Sequence, residues 1–226
     1  MPALNLSEST TAGLSATVAH RVAADLRRRI LQGELVPGQR LKIDELAAMC
    51  AVSHMPIRQA LGELEGEGVL ELVPHRGAVI KGVDIHFVRN LYDVRQVIEG
   101  LLVERCAARI EEPALQQLEA AVAAYEAVAR TDTAALLQAN RRFHDTINAV
   151  ADNPPAVRML GDGRVLIEAL RLRFRYGPTR IDEVVEQHRE IFRAIAAHQV
   201  ERAGRLARVH CMGACEDLLA TFNRGS

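Results

Sequence analysis

The stretch "AVSHMPIRQALGEL", residues 51–64, decides how the first third of this chain folds. Ser53 can accept a hydrogen bond from a free backbone N–H group at a helix start, and Pro56 has no N–H group to lose in a first turn. The apolar residues that repeat at helical spacing are Ile57, Leu61 and Leu64. The stretch therefore predicts a short helix with one buried face.

The residues on either side of this helix predict a winged helix-turn-helix. The periodic stretch "TVAHRVAADLRRRILQG", residues 17–33, predicts a first helix, and "IDELAAMCAVS", residues 43–53, predicts a second helix that a tight turn separates from the third. Gly68 ends the third helix. Beyond it, "LELV", "PHRG" and "AVIK", which together cover residues 70–81, predict a strand, a turn and a second strand.

In such a unit the third helix enters the major groove of DNA, and the wing tip reaches the backbone or the minor groove. The candidate base readers on this helix are His54, Arg58 and Gln59. Arg58 can place its fork of donors on O6 and N7 of a guanine, while His75 and Arg76 at the wing tip can approach phosphates. Alternatively, Arg58 pairs with a local carboxylate such as Glu63 on a solvated face. Helix-turn-helix shapes also occur in proteins that never touch DNA.

Composition and charge exclude several classes of protein. The chain has 226 residues, of which 49% are hydrophobic and 25% charged, and its formal net charge is −1. Residues 20–81 hold nine basic and eight acidic side chains, so the DNA-binding prediction rests on pattern alone. The four cysteines form no paired framework, and no leader or membrane-length apolar run is present. We therefore expect a reduced, cytoplasmic protein without a membrane partner.

The chain changes character near residues 81–83, which predicts a domain boundary. Residues 1–13 predict a flexible tail, residues 14–81 form the winged unit, and Asp84 can cap the helix that follows. From there the periodicity predicts an all-α antiparallel bundle, so the chain is mainly α in fold class. The six predicted helices of this second domain, residues 84–222, lie at about 84–110, 113–130, 132–151, 154–176, 179–197 and 200–222.

Three histidines of the second domain lie on apolar helix stripes. His144 shares one face of the third bundle helix with Asn140, four residues earlier. His188 lies on the fifth helix and His210 on the sixth. Each histidine taken singly also fits a hydrogen-bonded core residue. Together, three imidazoles and an amide oxygen from three helices predict a divalent transition metal, zinc or nickel, rather than calcium or magnesium.

The charge of this predicted site indicates an anionic ligand. Three neutral imidazoles and Asn140 leave the 2+ charge of the ion uncompensated, which favours a carboxylate at an open coordination position. Arg95 stands in the buried stripe of the first bundle helix, where it can clamp a small acid or pair with Glu99. From "RLRFR", residues 171–175, we assign Arg173 to the same effector site, although at least one of these arginines must face outward.

The N-terminal segments "ILQGELVPGQRL", "DELAAMCAVSHMPIRQALGELEGEGVL" and "VPHRGAVI" resemble the DNA-binding domain of GntR-family bacterial transcription regulators, over about residues 15–81. In that family the residues matching His54 and Arg58 are usually arginines that contact DNA, and the glycine matching Gly77 shapes the wing tip. This chain carries His54 at the first of these positions. Ala51 replaces the usual turn glycine, which we expect to strain the turn by up to about 1 kcal/mol.

The second domain resembles the FCD-type ligand-binding domain of the FadR-like branch of this family. The matching segments, in order, are "LYDVRQVIEG", "NRRFHDTI", "ADN", "EQHREIFRAI" and "RVHCMG". In many members an aspartate or asparagine and three histidines hold a metal beside a small organic acid, and the matching positions here are Asn140, His144, His188 and His210. Six helices resemble the VanR-type subgroup. Gly161 and Gly163 predict a kink or break in the fourth helix.

These patterns favour a homodimeric transcription regulator that binds a double-stranded DNA operator. We expect the protein to have no enzyme activity. The resemblance implies a repressor whose operator binding is relieved by a small carboxylic acid. One alternative is a regulator that binds its acid through Arg95 without a metal. Another is a metal-dependent hydrolase or lyase in which the three histidines activate water and Glu186 or Glu190 is the base, but it leaves the winged unit without a role.

Overall fold

The computed structural model describes residues 7–74, 76–129, 132–177 and 179–225, and over these residues the chain is mainly helical, as predicted. The chain forms two compact units. One consists of the chain up to Val83 together with Asp162–Ala169, and the other consists of Asp84–Gly161 together with the chain from Leu170 onward. None of the described helices combines the length and the apolar character needed to cross a membrane.

The first unit contains the predicted helices and wing. Its helices are α1 (Ser7–Leu31), α2 (Ile43–Cys50) and α3 (His54–Gly66), and its strands are β1 (Arg40–Leu41), β2 (Leu70–Val73) and β3 (Gly77–Ile80). The sheet order is β1-β3-β2, with both pairs antiparallel and Leu72 opposite Ala78 in the hairpin. The short strand β1 was not predicted. Helix α1 packs against α3, where Leu26, Ile57 and Leu61 are fully buried.

Helix α1 begins earlier than the sequence predicted. A flexible tail was expected over residues 1–13; residues 1–6 lie outside the described residues, and residues 7–13 are helical, contrary to the prediction. These residues are polar in sequence and show no apolar periodicity, which left no sequence signal for a helix there. Once the buried residues Val22, Leu26 and Ile30 anchor the helix, each added residue contributes one backbone hydrogen bond without a new nucleation cost.

Backbone conformation explains how the turns around α3 form. Ser53 occupies the N-cap position of α3, but its side chain makes no capping hydrogen bond, contrary to the prediction. Ala51, at the end of α2, adopts the left-handed conformation with φ 53° and ψ 43°. In the wing, Gly77 has φ +91°, and a Cβ atom there would lie 2.1 Å from the carbonyl oxygen of Leu41. Only glycine fits this approach of β3 to β1.

From residue 84 onward the described residues form seven helices rather than six. These are α4 (Ile85–Arg109), α5 (Glu112–Val128), α6 (Thr133–Ala151), α7 (Pro154–Leu160), α8 (Arg164–Phe174), α9 (Arg180–Ala196) and α10 (Val200–Gly225). The Asp84 carboxylate caps α4 by accepting a 2.7 Å hydrogen bond from the Phe87 N–H group, as predicted.

The additional helix comes from a break in the predicted fourth helix, residues 154–176. Helix α7 ends at Leu160, and Gly163, with φ +65°, precedes α8. A left-handed residue cannot continue a right-handed helix, so a break forms where the two glycines suggested one. The similarity to the VanR-type subgroup rested on six helices and stays a prediction.

The core of the second unit brings α6, α9 and α10 together with α4 and α5. Val103, Phe143, Ile147, Ile191 and Ala207 belong to one buried apolar cluster. The cluster therefore fixes the inward faces of the three helices that carry the predicted histidine ligands.

Candidate metal centre and nucleic-acid interface

A basic groove of about 580 Å³ lies between α3 and the wing of the first unit. Its charged or titratable lining residues are Arg40, Lys42, Asp44, His54, Arg58 and Arg76. Basic and acidic side chains are nearly balanced over residues 20–81, but the fold gathers four cations and one carboxylate along this groove. This segregation of charge gives the groove the electrostatic character that a phosphate backbone requires.

The predicted base readers are exposed on α3, and Arg58 is not in a local ion pair. His54, Arg58 and Gln59 all reach solvent. Glu63, the alternative partner of Arg58, instead accepts a hydrogen bond from Arg27. Within the described part of the chain Arg58 has no ion-pair partner, so the interpretation as a solvated Arg58–Glu63 pair is wrong.

His54 differs from Arg58 because it has an acidic neighbour. Its Nε2 atom lies 3.1 Å from Oδ1 of Asp44, at the start of α2. Both side chains are largely exposed, which keeps the pair weak. The His54–Asp44 contact must therefore break before the His54 ring can reach a base.

The wing contributes two predicted residues to the groove, Arg76 and Gly77, and the groove is also lined by Arg40 of β1 and by Lys42, which follows that strand. Arg76 is exposed, and its carbonyl oxygen accepts a 3.5 Å hydrogen bond from Arg40. His75, predicted for the same wing tip, lies outside the described residues. Arg40 and Lys42 were missed because a two-residue strand has no periodicity to reveal it.

The second unit brings His144, His188 and His210 together. The candidate ligand atoms of the three rings all lie within 4.8 Å of one another. The ring centroids of His188 and His210 are 4.9 Å apart, and those of His144 and His210 are 5.6 Å apart. Asn140 lies one turn before His144 on α6 and is half-buried. Imidazole nitrogens at this spacing are the ligand set that zinc and nickel favour.

Burial of His188 leaves its polar atoms without protein partners. The side chain is 0% exposed, and neither Nδ1 nor Nε2 has a hydrogen bond. The ring stacks on Phe143 at a centroid distance of 4.0 Å and meets the edge of Tyr125 at 4.7 Å. Unpaired buried nitrogens cost free energy, whereas a metal ion supplies the missing partner. The residues present therefore fit a bound metal.

Gln187 orients His210, a role that was not predicted from the sequence. Its Oε1 atom lies 2.9 Å from Nδ1 of His210. Since an amide oxygen only accepts hydrogen bonds, Nδ1 donates, and Nε2 keeps a lone pair for a metal. Gln187 immediately precedes His188, and this adjacency is a signal that could have indicated its role.

Burial also sets the charge of the three rings. It lowers the pKa of His144 below the ordinary histidine value, and it lowers the pKa of His188 and of His210 much further. Neighbouring imidazoles and Arg180 add to the shift for His188 and His210. The rings are therefore neutral at pH 7, which is the form that binds metals.

The two arginines assigned to the effector site differ: Arg95 lies within electrostatic range of His144, whereas Arg173 does not face the cluster. Arg95 donates to Oε1 of Glu99 at 2.8 Å and to the carbonyl oxygen of Leu160 at 3.1 Å, so it forms the ion pair that was the alternative interpretation. Arg173 is exposed, with its guanidinium 5.2 Å from the centre of the Phe174 ring. Its assignment to the effector site is wrong because the phase of α8 turns it toward solvent.

Arg180, the first residue of α9, is the buried arginine beside the histidines. Its side chain is 4% exposed, and one terminal nitrogen donates a 3.0 Å hydrogen bond to the carbonyl oxygen of His210. The other donates to Glu183 at 3.2 Å. Sequence reasoning missed Arg180 because the first residue of a helix is usually exposed, and no apolar stripe precedes it.

The geometry gives little support to a hydrolase. Glu186, one predicted base, is exposed and pairs with Arg189 at 3.5 Å and Arg193 at 3.1 Å. Both Glu186 and Glu190 lie two residues from His188, which puts them about 200° around the helix from it. A base for metal-bound water would have to lie on the same face as the histidines.

Comparison with known proteins identifies both parts of the chain. Residues 90–212 match the FCD domain family, and residues 18–80 match the family of bacterial regulatory proteins, gntR family. The HTH-type transcriptional regulator YdhC of Bacillus subtilis (strain 168) is 27% identical over 202 residues, which are 88% of this chain and 90% of that protein.

Two further similar proteins come from Escherichia coli. The HTH-type transcriptional repressor RspR of strain K12 is 27% identical over 182 residues, 79% of this chain and 80% of that protein. The solved structure of McbR/YncC superposes with a TM-score of 0.74 at 18% identity, and the match covers 92% of this chain and 99% of that chain. The structural similarity shows a shared fold.

Proposed function

The chain belongs to the GntR family of bacterial regulatory proteins and carries an FCD domain, and from this premise we propose that it is a dimeric repressor controlled by a metal-bound organic acid. It is a DNA-binding transcription regulator. Three features are proposed here: repression rather than activation of transcription, assembly as a dimer, and control by an organic acid. In it, a small carboxylic acid binds beside a divalent ion in the second unit and lowers the affinity for the operator.

The observation that carries the metal proposal is the unpaired, fully buried ring of His188 within the histidine cluster. The residues that would hold the ion are Asn140, His144, His188 and His210. All four are neutral ligands, so the ion keeps its 2+ charge. Zinc and nickel suit three imidazoles, and Asn140 in place of an aspartate lowers the affinity for either. When bound by these residues, such an ion would supply the positive charge that attracts a carboxylate.

For DNA binding we propose that α3 enters the major groove and that the wing contacts the backbone. In this arrangement the residues that face DNA are His54, Arg58, Gln59, His75, Arg76 and Gly77. Exposure of the three α3 residues and the cationic lining of the adjacent groove support it. Arg58 reads a base by bidentate donation, and Arg40 and Lys42 add phosphate contacts.

An uncovered apolar stripe on α4 supports a homodimer. Val94, Val97 and Leu101 are 52%, 60% and 42% exposed, and their spacing places them on one helix face. Val209, on the adjacent α10, is 62% exposed. We assign this surface to an isologous contact with a second copy, since two-fold operators match two-fold dimers. Val97→Glu should then give a monomer by light scattering, whereas Met159→Glu, outside the stripe, should leave the dimer intact.

Thermodynamic linkage limits how the acid can act. An acid relieves repression only if it binds the DNA-incompetent arrangement more tightly than the DNA-bound one. DNA must then weaken acid binding by the same factor. Two sets of titrations measure this factor independently. One titrates the operator with and without the acid, and the other titrates the acid with and without the operator.

The deciding experiment measures thermal unfolding of untagged protein against small carboxylic acids, with metal bound and after chelation. We expect acids to raise the midpoint only in the metal-loaded protein. His188→Ala should abolish both metal retention and the acid effect, whereas His86→Ala, an exposed histidine of α4, should abolish neither. Shifts that survive chelation and His188→Ala would instead support the metal-independent sensor. Conversion of a bound acid to product would support an enzyme.

A further inference from the structure

The unpaired buried polar atoms of this protein are concentrated around the histidine cluster. Among the described residues they belong to Arg95, Tyr125, Arg180 and His188. The Tyr125 ring contacts His188, and Arg180 bonds to the backbone of His210. A fold normally satisfies such atoms, so a group of them at one place indicates a missing polar partner. A metal accounts for His188, but it cannot pair with the Nε–H of Arg180 or the hydroxyl hydrogen of Tyr125.

Arg180 has the weakest charge compensation of the three inward-facing arginines. Arg95 pairs with Glu99, and Arg171 pairs with Asp217, and these carboxylate side chains are only 8% and 11% exposed. Arg180 pairs with Glu183, which is 53% exposed and lies 3.2 Å away. Because solvent screens an exposed carboxylate, Arg180 retains most of its attraction for a second anion.

Helix α10 is shaped to admit this guanidinium beside the histidines. A Cβ atom at Gly213 would lie 2.8 Å from a terminal nitrogen of Arg180. Gly213 is three residues after His210, so it lies on the same side of α10. A side chain at this position would force the guanidinium to shift, so the glycine leaves the room that the guanidinium occupies. Hydrogen bonds to the His210 carbonyl oxygen and to Glu183 hold the guanidinium there before any ligand arrives.

We propose that Arg180 and the Tyr125 hydroxyl bind a second carboxylate of the effector, so that the effector is a small dicarboxylate spanning from the metal to Arg180. This inference rests on the proposed metal-bound acid. The charges agree with it: a 2+ ion with neutral ligands, together with the Arg180–Glu183 pair, leaves a net charge of about +2 that a dianion neutralises. The Arg180 Nε–H and the Tyr125 hydroxyl both donate, as a carboxylate requires.

The test compares acids of equal carbon number that differ in one carboxylate, namely propionate with malonate and butyrate with succinate. Affinities are measured from thermal shifts of metal-loaded, untagged protein, and metal content is checked after each titration. We expect at least one dicarboxylate to bind the native protein tenfold or more tightly than its matched monocarboxylate. In Arg180→Gln this ratio should fall toward one while the metal stays bound. Arg173→Gln, the same change on an exposed side chain, should keep the native ratio.

The outcomes separate this inference from the proposed function. If monocarboxylates and dicarboxylates bind equally well, or Arg180→Gln keeps the native ratio, the Arg180 anchor is wrong and the acid sensor stands. If no acid binds the metal-loaded native protein, both proposals fail. A purely structural role of Arg180 would lower the unfolding midpoint without changing the ratio. Should Arg180→Gln not fold, Arg180→Lys and Tyr125→Phe decide, because each should reduce the ratio and an unchanged ratio in both would overturn the proposal.

Discussion

Ala51→Gly should stabilise the winged unit, although it removes a side-chain carbon. Ala51 is exposed at the end of α2 and has φ 53° and ψ 43°. An L-residue in this left-handed conformation costs about 1–2 kcal/mol, while glycine loses about 0.5–1 kcal/mol more backbone entropy on folding than alanine. The difference predicts a net gain of up to about 1.5 kcal/mol in the free energy of unfolding.

A matched control substitution should change the free energy of unfolding in the opposite direction. Ala48 is also exposed and lies three residues earlier in the same helix, in the right-handed conformation of α2. Ala48→Gly should therefore destabilise the unit by up to about 1 kcal/mol. Urea denaturation of both variants, followed by circular dichroism, measures the two effects as opposite shifts of the midpoint. Equal destabilisation by both substitutions would refute the argument, because it would show that the turn does not strain Ala51.

Three other predictions concern the two sites. Gln187→Leu should weaken zinc binding by about 10–100-fold, because His210 loses the acceptor that orients it, and a competition titration with a chelating dye would report this change. Arg58→Ala should weaken operator binding by about 1–3 kcal/mol in fluorescence anisotropy, whereas Arg173→Ala should not change it. For the metal-free protein, the lowered pKa values of His144, His188 and His210 mean that the unfolded chain binds more protons than the folded one as pH falls. Stability should therefore be fully present above about pH 6.5 and decline below it, by up to about 1.4 kcal/mol per histidine and pH unit. A set of urea midpoints between pH 5 and 8 that does not change with pH would contradict the buried, neutral state of these rings.

Local patterns were sufficient to predict the winged unit and the histidines. The periodicity of α3, the glycine in the wing and the placement of histidines on apolar stripes each depend on residues close together in sequence. Burial of one helix face follows from that spacing whatever the neighbouring helix is. The convergence of His144, His188 and His210 followed from it, because three inward faces of one bundle share one core.

The contacts of the arginines could not be predicted from local patterns. Residue 95 fits a ligand clamp and an ion pair with Glu99 equally well, since both need the same inward stripe, and the structure contains the pair. Arg173 was chosen among the three arginines of "RLRFR", residues 171–175, at least one of which must face outward. In the structure Arg171 is the buried one, whereas Arg173 is exposed.

The sequence by itself determined the fold class, the exposed face of α3 and the histidine cluster, because helical period and residue chemistry are local properties. Only the tertiary structure decided which cations reach each site. Arg180 enters the histidine cluster because Gly213 on α10 leaves room for it, and Arg40 and Lys42 line the groove because β1 pairs with the wing. These contacts join residues about 30 or more positions apart, and no spacing rule along one helix or strand specifies them.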